Sequence, residues 1–320
     1  MKKRSATFDI MKFFGIMFVI IGHLATTGQR VIFSFHMPLF FIIAGYFYHP
    51  KDYKASLKKD AERLLLPYIF TSTIIIILLH LISPTANILQ WLLAAIYANG
   101  STGHTSLYLS DIPPIGAMWF LLALFWCKNV FNVLYRKTSH WLIASIVIAV
   151  VAILLDCKLI NLPLAILPGL SALIFYSIGV VIRERNGFYS LSPFLWTALV
   201  VLWIIDFLFS NMSMVRCYYN NILLNILGAC GGTYAIFLLS NVLATYYNAI
   251  KKLFVWVGMN SMTFLCTHNI DLDVPIRHTL NIDPGIAVPF AIIECFVATL
   301  ILYYIPVTRK IYNISNPALM

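Results

Sequence analysis

Charged side chains are scarce in this sequence. Asp, Glu, Lys and Arg make up 11% of the chain, whereas 61% of it is hydrophobic. A soluble globular protein does not carry so large an apolar fraction, so that class is excluded. The composition predicts an all-α, polytopic integral membrane protein in which 1–320 form a single transmembrane domain without a soluble domain.

Two further absences narrow the functional classes. The six cysteines contain no Cys-x-x-Cys pair, so neither a metal site nor a redox motif is indicated. No internal repeat is visible, which argues mildly against a transporter built from two duplicated halves. Metal binding is also disfavoured by the histidines, because none are spaced as His-x-x-x-His and no acidic ligand stands beside them.

Long apolar runs are abundant. About 20 mostly apolar residues cross a bilayer as a helix, and ten runs of this kind can be counted. The segment 87–98 is too short and is interpreted as an interfacial or re-entrant helix. The predicted spans are 9–28, 32–48, 65–83, 116–135, 140–156, 162–182, 193–210, 221–247, 253–270 and 287–307.

The basic residues predict the orientation. With both termini cytoplasmic, all but four of the 22 Lys and Arg residues fall on the cytoplasmic side. The exceptions are Arg30, Lys158, Arg216 and Arg277. The net charge of +10 is therefore a topology signal, and no nucleic-acid partner is expected. We expect a multi-pass protein of the cytoplasmic (inner) membrane.

The start of the chain and one outer loop also have distinct compositions. Lys2, Lys3 and Arg4 precede an apolar run, as in a signal peptide, but Asp9 and Lys12 interrupt that run, so an uncleaved first helix is expected. The predicted outer loop 84–115 contains no Lys or Arg. It suits either a lid over an acceptor site or a solvated connector.

Polar residues form a stripe on the first predicted helix. Lys12 and His23 are eleven residues apart, which brings them to within about 20° of each other around the helix and about 16 Å apart along it. Asp9 precedes Lys12 by three residues and can pair with it. Lys12 could simply reach the membrane interface, but the stripe favours a functional site. The rest of the circumference is expected to face lipid.

Histidines in four predicted spans approach one depth in the outer half of the membrane. They are His23, His36, His80 and His268, and Ser261 shares the helix face of His268. Such a cluster suits an acid–base centre or a proton relay, or it ties helices together. Glu294, about seven residues into the last span, is a further candidate for function.

Several sequence blocks together carry a family resemblance. The chain resembles membrane acyltransferase family 3, most closely its fucose 4-O-acetylase-like sugar O-acetyltransferases, over nearly its whole length. The blocks are Asp9-Ile10-Met11-Lys12 followed by His23, Phe35-His36-Met37-Pro38-Leu39-Phe40-Phe41 with Gly45-Tyr46-Phe47, Arg63-Leu64-Leu65-Leu66-Pro67-Tyr68, Trp119-Phe120-Leu121, and Gly258-Met259-Asn260-Ser261 with His268.

The resemblance implies a ten-helix enzyme that transfers an acyl group, usually acetyl from cytoplasmic acetyl-CoA, to a glycan hydroxyl. The family's basic residue and histidine map to Lys12 and His23. Many members have Arg at the first position, and many have Ser where this chain has Ala44. Any hydroxyl role at that second position is therefore doubtful here.

These observations give a predicted set of site residues. The catalytic candidates are His23, His36 and Asp9. Lys12, Lys58, Lys59 and Arg63 are expected to bind the phosphates of acetyl-CoA, the co-substrate. Trp119, Asn260, Ser261, His268 and Glu294 are expected to bind the acceptor, and no metal is expected.

The functional hypothesis is acetyl transfer, with His23 as base or as acyl carrier and His36 orienting the acceptor or stabilising an oxyanion. The alternatives are a glycan exporter with a histidine proton relay, and a non-catalytic scaffold. The acceptor, a glycan or lipid-linked saccharide, stays open, as do the acyl group, the side of transfer and the oligomeric state. Membrane lipid is the surrounding partner.

Overall fold

The protein is described by a computed structural model that covers residues 5–25, 27–83, 87–98, 100, 112–159, 162–190, 192–274 and 283–320. Lys2, Lys3, Arg4, Arg277 and, within the predicted outer loop 84–115, residues 84–86, 99 and 101–111 lie outside these described residues. Within them the chain is almost entirely helical, with one two-stranded hairpin. The expected all-α class is therefore confirmed.

Helices follow one another along the described chain. The first eight are α1 (Ala6–Leu24), α2 (Gln29–Phe33), α3 (His36–Tyr46), α4 (Tyr53–Asp60), α5 (Leu66–Ile82), α6 (Ile88–Tyr97), α7 (Trp119–Lys137) and α8 (Trp141–Leu159). The second half contains α9 (Ile166–Ser171), α10 (Leu173–Glu184), α11 (Pro193–Phe209), α12 (Ile222–Tyr246), α13 (Asn248–Met259), α14 (Ser261–Asp273), α15 (Ala287–Tyr304) and α16 (Pro306–Ile311). A π-helical turn, Ala61–Leu65, joins α4 to α5.

Five of the described helices are long and apolar enough to cross a membrane, or six if one bent pair is a single span. They are Ala6–Leu24, Tyr53–Ile82, Gly116–Lys137, Ile222–Tyr246 and Ala287–Tyr304, and the bent pair is Pro163–Ser171 with Leu173–Glu184, at 46°. A multi-pass membrane protein is thus supported, whereas ten spans with both termini cytoplasmic stay a prediction. The short segment predicted at 87–98 is the helix α6.

Two of the predicted spans are interrupted by local hydrogen bonding. The second one divides at Ser34, whose hydroxyl donates to the Val31 carbonyl at 2.8 Å, and at Phe35, whose backbone leaves the helical region. The ninth divides at Asn260, whose amide nitrogen donates to the Trp256 carbonyl at 2.9 Å. Short polar side chains compete with the helix for backbone partners in this way.

Helix α1 lies at the centre of the bundle, in contact with α3, α12, α13, α14 and α15. The broad lipid face expected for it is wrong. Met17 is buried, and the Phe13 ring stacks on Phe254 with centroids 4.0 Å apart. Composition alone did not show this, because a helix surrounded by other helices is as apolar as one that faces lipid.

Helices α3 and α10 cross with their backbones almost in contact. A Cβ atom on Gly45 would lie 2.0 Å from the carbonyl oxygen of Tyr176, and one on Gly179 would lie 2.1 Å from that of Ile42. Small residues permit such crossings in membrane proteins. The packing holds α3, which lines every part of the site described next.

The hairpin lies between α11 and α12. Strands β1 (Met212–Ser213) and β2 (Tyr218–Tyr219) are antiparallel, with Met212 opposite Tyr219 and Ser213 opposite Tyr218. A 3₁₀ turn, Met214–Arg216, connects them.

Candidate active site

A chamber of about 300 Å³ lies at the C-terminal end of α1. His23 is exposed to it, and His36 lines it from the first residue of α3. Trp119 at the start of α7 and the hairpin supply other walls. The described lining residues are Val19, His23, Phe33, His36, Met37, Gly100, Ala117, Trp119, Met212, Ser213, Met214, Val215 and Arg216.

His23 is held by a second histidine. Its Nδ1 atom lies 3.2 Å from Nε2 of His268, and the two rings are stacked with an angle of 13° between their planes. His268 itself is fully buried on α14. Because this contact occupies Nδ1 of His23, only Nε2 of that ring is left to exchange a proton with a substrate. His268 therefore fixes the orientation of His23 from outside the chamber.

His36, the first residue of α3, is oriented by a backbone carbonyl of the preceding helical turn. Its Nδ1 atom lies 2.8 Å from the carbonyl oxygen of Ile32, and since a carbonyl only accepts, Nδ1 carries the proton. The neutral ring then presents only a lone pair at Nε2. In that form His36 can accept a hydrogen bond from a hydroxyl but cannot donate one to an oxyanion. The geometry thus favours the first of its two predicted roles.

A tunnel of about 220 Å³ adjoins the chamber, and the two cavities share the side chains of Val19 and Met37. The tunnel is apolar apart from Lys12 and Ser261. Its described lining residues are Lys12, Ile16, Val19, Met37, Phe40, Ile43, Ala44, Phe47, Leu64, Phe120, Leu121, Leu124, Ser261, Met262 and Leu265.

Lys12 does not bring an uncompensated charge into this tunnel. Its Nζ atom lies 2.6 Å from Oδ1 of Asp9, which is buried. A lysine inside a membrane protein is stabilised by such a partner. The pair acts as a polar point on an apolar wall, so Lys12 is poorly suited to the role of phosphate ligand predicted for it.

At its other end the tunnel adjoins a basic mouth of about 250 Å³, with which it shares Ala44, Phe47 and Leu124. From Phe47 at this junction to Met37 at the chamber, the chain of α3 covers about 15 Å. The described lining residues of the mouth are Ala44, Phe47, Tyr48, His49, Lys51, Ser56, Lys59, Asp60, Arg63, Leu124, Lys128 and Tyr176.

Positive charge is concentrated in the mouth. Arg63 and Lys51 lie close enough to Lys59 to lower the pKa of its amine, and Lys59 stands on α4, ahead of the apolar part of that helical stretch. Lys128 is paired with Asp60. The mutual repulsion of these cations would be relieved by a polyanion bound in the mouth.

Seven of the predicted site residues line these three cavities. They are His23, His36 and Trp119 in the chamber, Lys12 and Ser261 in the tunnel, and Lys59 and Arg63 in the mouth. Two more act through a neighbour, since Asp9 pairs with Lys12 and His268 contacts His23.

Three predicted residues stand elsewhere. In the structure as described, Lys58, Asn260 and Glu294 line none of the three cavities. Lys58 is exposed on α4, and the Oδ1 atom of Asn260 accepts from the Ser315 backbone at 2.8 Å, which ties the C-terminal segment to the α13–α14 break. His80, expected at the same depth as the other histidines, is exposed on α5.

Other site residues did not emerge from the sequence. Lys51 and Lys128 line the mouth, and Arg216 lines the chamber. A signal existed for Arg216, because it is one of only four basic residues expected on the outer side. Among the described residues, no group of three or more His, Cys, Asp or Glu side chains could hold a metal ion.

The site thus belongs to a multi-pass helical membrane protein with a histidine chamber, an apolar tunnel and a basic mouth, and sequence comparison gives its family. The family of acyltransferase 3 domains matches residues 5–307, so the chain belongs to that family. The predicted family is therefore confirmed.

One curated relative is the nodulation protein NolL of Mesorhizobium japonicum (strain LMG 29417 / CECT 9101 / MAFF 303099). It is 29% identical over 246 residues, which cover 69% of this chain and 60% of the relative. The chain thus spans less than two thirds of that relative's length. No solved structure matches the chain.

Proposed function

We propose that this protein transfers a short acyl group, such as acetyl, from cytoplasmic acyl-CoA to a hydroxyl of a cell-surface glycan or its lipid-linked precursor. The order of the cavities carries this proposal. A basic mouth, an apolar tunnel and a chamber with His23 follow one another. Acyl-CoA has its parts in the matching order, with the phosphates first, then a slender arm, then the thioester.

The donor binds with its phosphates in the mouth, near Lys59, Arg63 and Lys51. Its arm runs along the tunnel past the Asp9–Lys12 pair, whose polar atoms suit the amide groups of the arm. The thioester then arrives beside His23. The distribution of basic residues supports assigning the mouth to the cytoplasmic face of the cell membrane and the chamber to the outer half of the bilayer.

Transfer needs one proton to move twice. Nε2 of His23 takes the proton of the acceptor hydroxyl, while the hydroxyl oxygen bonds to the acyl carbon. The carbon–sulfur bond then breaks, and the same proton passes from His23 to the CoA sulfur. For Nε2 to act as the base, Nδ1 of His23 must carry a proton and donate a hydrogen bond to Nε2 of His268. His36 accepts a hydrogen bond from the acceptor and orients it.

The experiment uses the full chain in nanodiscs with radiolabelled acetyl-CoA. Wild type should bind and turn over the donor, and His23→Ala should still bind it while turnover falls by about 10²–10⁴-fold. Near-normal turnover by His23→Ala would overturn the assignment of the base. If wild type neither binds nor hydrolyses acetyl-CoA, the acyltransferase proposal fails, and glycan flux without CoA consumption would indicate an exporter.

A further inference from the structure

A pocket of about 510 Å³ lies at the end of α15, apart from the three cavities of the candidate active site. This C-terminal pocket is formed within residues 303–314, by the last turn of α15, by α16 and by the turn after it. None of its described lining residues lines the chamber, the tunnel or the mouth. Acyl transfer as proposed therefore makes no use of it.

The pocket lies where an apolar helix ends. α15 is long and apolar enough to cross a bilayer, and its last two residues, Tyr303 and Tyr304, line the pocket. Tyrosines at the ends of membrane spans lie at the level of the lipid headgroups. Ile305 and Val307, which follow, are exposed apolar side chains of the kind that interfacial helices place in lipid. The C-terminal pocket is therefore expected at the boundary between the hydrocarbon and the headgroups.

Two adjacent cations form the polar side of this pocket. Arg309 and Lys310, in the last turn of α16, are exposed and line the pocket, whereas no Asp or Glu is among the lining residues that the structure describes. The guanidinium carbon of Arg309 lies 4.6 Å from the centroid of the Tyr303 ring. This cation–π contact orients the guanidinium but does not neutralise its charge. An anion between the two basic side chains would relieve their repulsion.

The backbone that carries these cations is fixed to the bundle. The hydroxyl of the buried Tyr312 lies 2.9 Å from that of Thr71 on α5, and the Ser315 backbone N–H donates to Oδ1 of Asn260 at 2.8 Å. Between these two anchors the chain turns at Asn313, whose positive φ of 52° is a conformation that asparagine tolerates. The C-terminal pocket is therefore preformed, and a ligand does not have to order it.

Lipid is the source of anion that this position favours. Anionic phospholipids concentrate phosphate groups at the membrane surface, and each Lys or Arg near that surface strengthens the attraction to them by about fivefold. The exposed Ile305 and Val307 stand beside the cations and suit acyl chains, whereas a free phosphate would leave both uncovered. The phosphates of the donor are assigned to the mouth.

We propose that the C-terminal pocket binds an anionic phospholipid, whose phosphate meets Arg309 and Lys310 while its acyl chains lie along Ile305 and Val307. A zwitterionic lipid carries the same phosphate together with a cation, which the two basic side chains repel. The site does not depend on the proposed function. It has a consequence for the active site, because the segment that carries it is bound to Asn260, and Ser261, the next residue, lines the tunnel.

The test uses the full chain in detergent, without acetyl-CoA, and counts bound lipids by native mass spectrometry. The probes are phosphatidylglycerol, phosphatidylcholine and glycerol 1-phosphate, which supply an anionic lipid, a zwitterionic lipid and the soluble phosphate alone. Wild type should bind phosphatidylglycerol at least about tenfold more tightly than either of the other probes. Because a ligand of the folded state stabilises it, phosphatidylglycerol should also raise the unfolding temperature.

Variants assign the binding to the pocket. Arg309→Gln combined with Lys310→Gln should weaken phosphatidylglycerol binding by about 25-fold, since two cations are lost, and should lose one bound lipid per chain. Lys310→Gln alone should weaken binding by about fivefold. Lys251→Gln combined with Lys252→Gln is the matched control, because these adjacent lysines are expected on the same side of the membrane but do not line the pocket. It should behave as wild type.

The outcomes decide the inference independently of acyl transfer. Equal binding of the two lipids by wild type, or unchanged phosphatidylglycerol binding in the folded double variant, overturns it. So does binding of glycerol 1-phosphate as tight as that of phosphatidylglycerol, which would make the pocket a site for free phosphates. If the double variant does not fold, Lys310→Gln compared with the lysine control gives the answer. Failure of the acyltransferase proposal would leave the lipid site standing, because no donor is present in these measurements.

Discussion

The imidazole rings of His23 and His268 lie nearly parallel, with 3.2 Å between Nδ1 of His23 and Nε2 of His268. The first ring is exposed to the chamber, and the second is fully buried behind it. This contact determines which nitrogen of His23 faces a substrate. It also makes His23, the proposed base, dependent on α14, a helix that is far from α1 in the sequence.

We therefore predict that His268→Ala lowers kcat while leaving KM for acetyl-CoA nearly unchanged. Losing a buried hydrogen bond costs about 1–3 kcal/mol, which corresponds to roughly 5- to 150-fold in rate. His268→Gln should recover part of the loss, because its amide can still accept a hydrogen bond from Nδ1 of His23. Steady-state kinetics of acetyl-CoA turnover in nanodiscs would measure both variants.

A purely structural role for His268 makes a different prediction. In that case His268→Ala and His268→Gln would lower the yield of folded protein and would leave kcat per folded molecule at the wild-type value. Size-exclusion profiles and donor binding, measured beside turnover, distinguish the two.

Lys59 and Lys58, which are adjacent on α4, provide a test position and its matched control. Lys59 lines the mouth and Lys58 does not, although only one position separates them. Lys59→Ala should raise KM for acetyl-CoA by roughly fivefold, for an interaction of about 1 kcal/mol at a solvated site. Lys58→Ala should have no effect on KM. Equal effects of the two substitutions would contradict the position of the phosphates.

The pKa of Lys59 gives a further prediction, on how readily its amine is labelled at alkaline pH. Arg63 and Lys51 lower the pKa of Lys59, so a larger fraction of its amine is uncharged at a given alkaline pH than without them. Arg63→Gln should raise that pKa and slow the labelling of Lys59 by an amine-acylating reagent. Added CoA should protect wild-type Lys59, because phosphates favour the charged form. Mass spectrometry of labelled peptides would measure both effects, and faster labelling in Arg63→Gln would refute the argument.

Much of the site could be predicted from the sequence because helical periodicity fixes which residues share a face. The stripe with Lys12 and His23 is an example, and both side chains do line cavities. Periodicity does not give the direction in which a helix faces its neighbours. The sequence therefore could not separate Lys59 from Lys58, which differ by about 100° around α4.

Helix breaks and long-range contacts could not be predicted from the sequence, for a different reason. Asn260 stands in a block that resembles the family, and the sequence therefore predicts it to be a substrate ligand. In the fold its amide holds a helix break and the C-terminal segment together. Arg216 reaches the chamber only through the hairpin and the burial of Cys217. Such placements depend on tertiary packing, which local patterns do not specify.

Ala44 offers a test of the tunnel. It lines both the tunnel and the mouth, so a larger side chain there should obstruct the passage of the donor's arm. Ala44→Leu should weaken acetyl-CoA binding by about 1–3 kcal/mol, which is roughly 5- to 150-fold in affinity. Ala55→Leu, at an exposed position of α4, is the control of equal volume. Unchanged donor affinity in a folded Ala44→Leu variant would show that the donor takes another path.

Variants of the Asp9–Lys12 pair test whether the ion pair stabilises the fold. Asp9→Asn leaves the charge of Lys12 in an apolar tunnel without its carboxylate, and breaking a buried pair in this way costs up to about 3–5 kcal/mol. Replacing both charges, with Asp9→Asn and Lys12→Met, should be less destabilising than Asp9→Asn alone, because no uncompensated charge is left. Thermal unfolding in detergent compares the single variants with the double one. If the two losses of stability simply add, the ion pair contributes nothing to the fold, and the placement of Lys12 beside Asp9 must be explained by substrate binding alone.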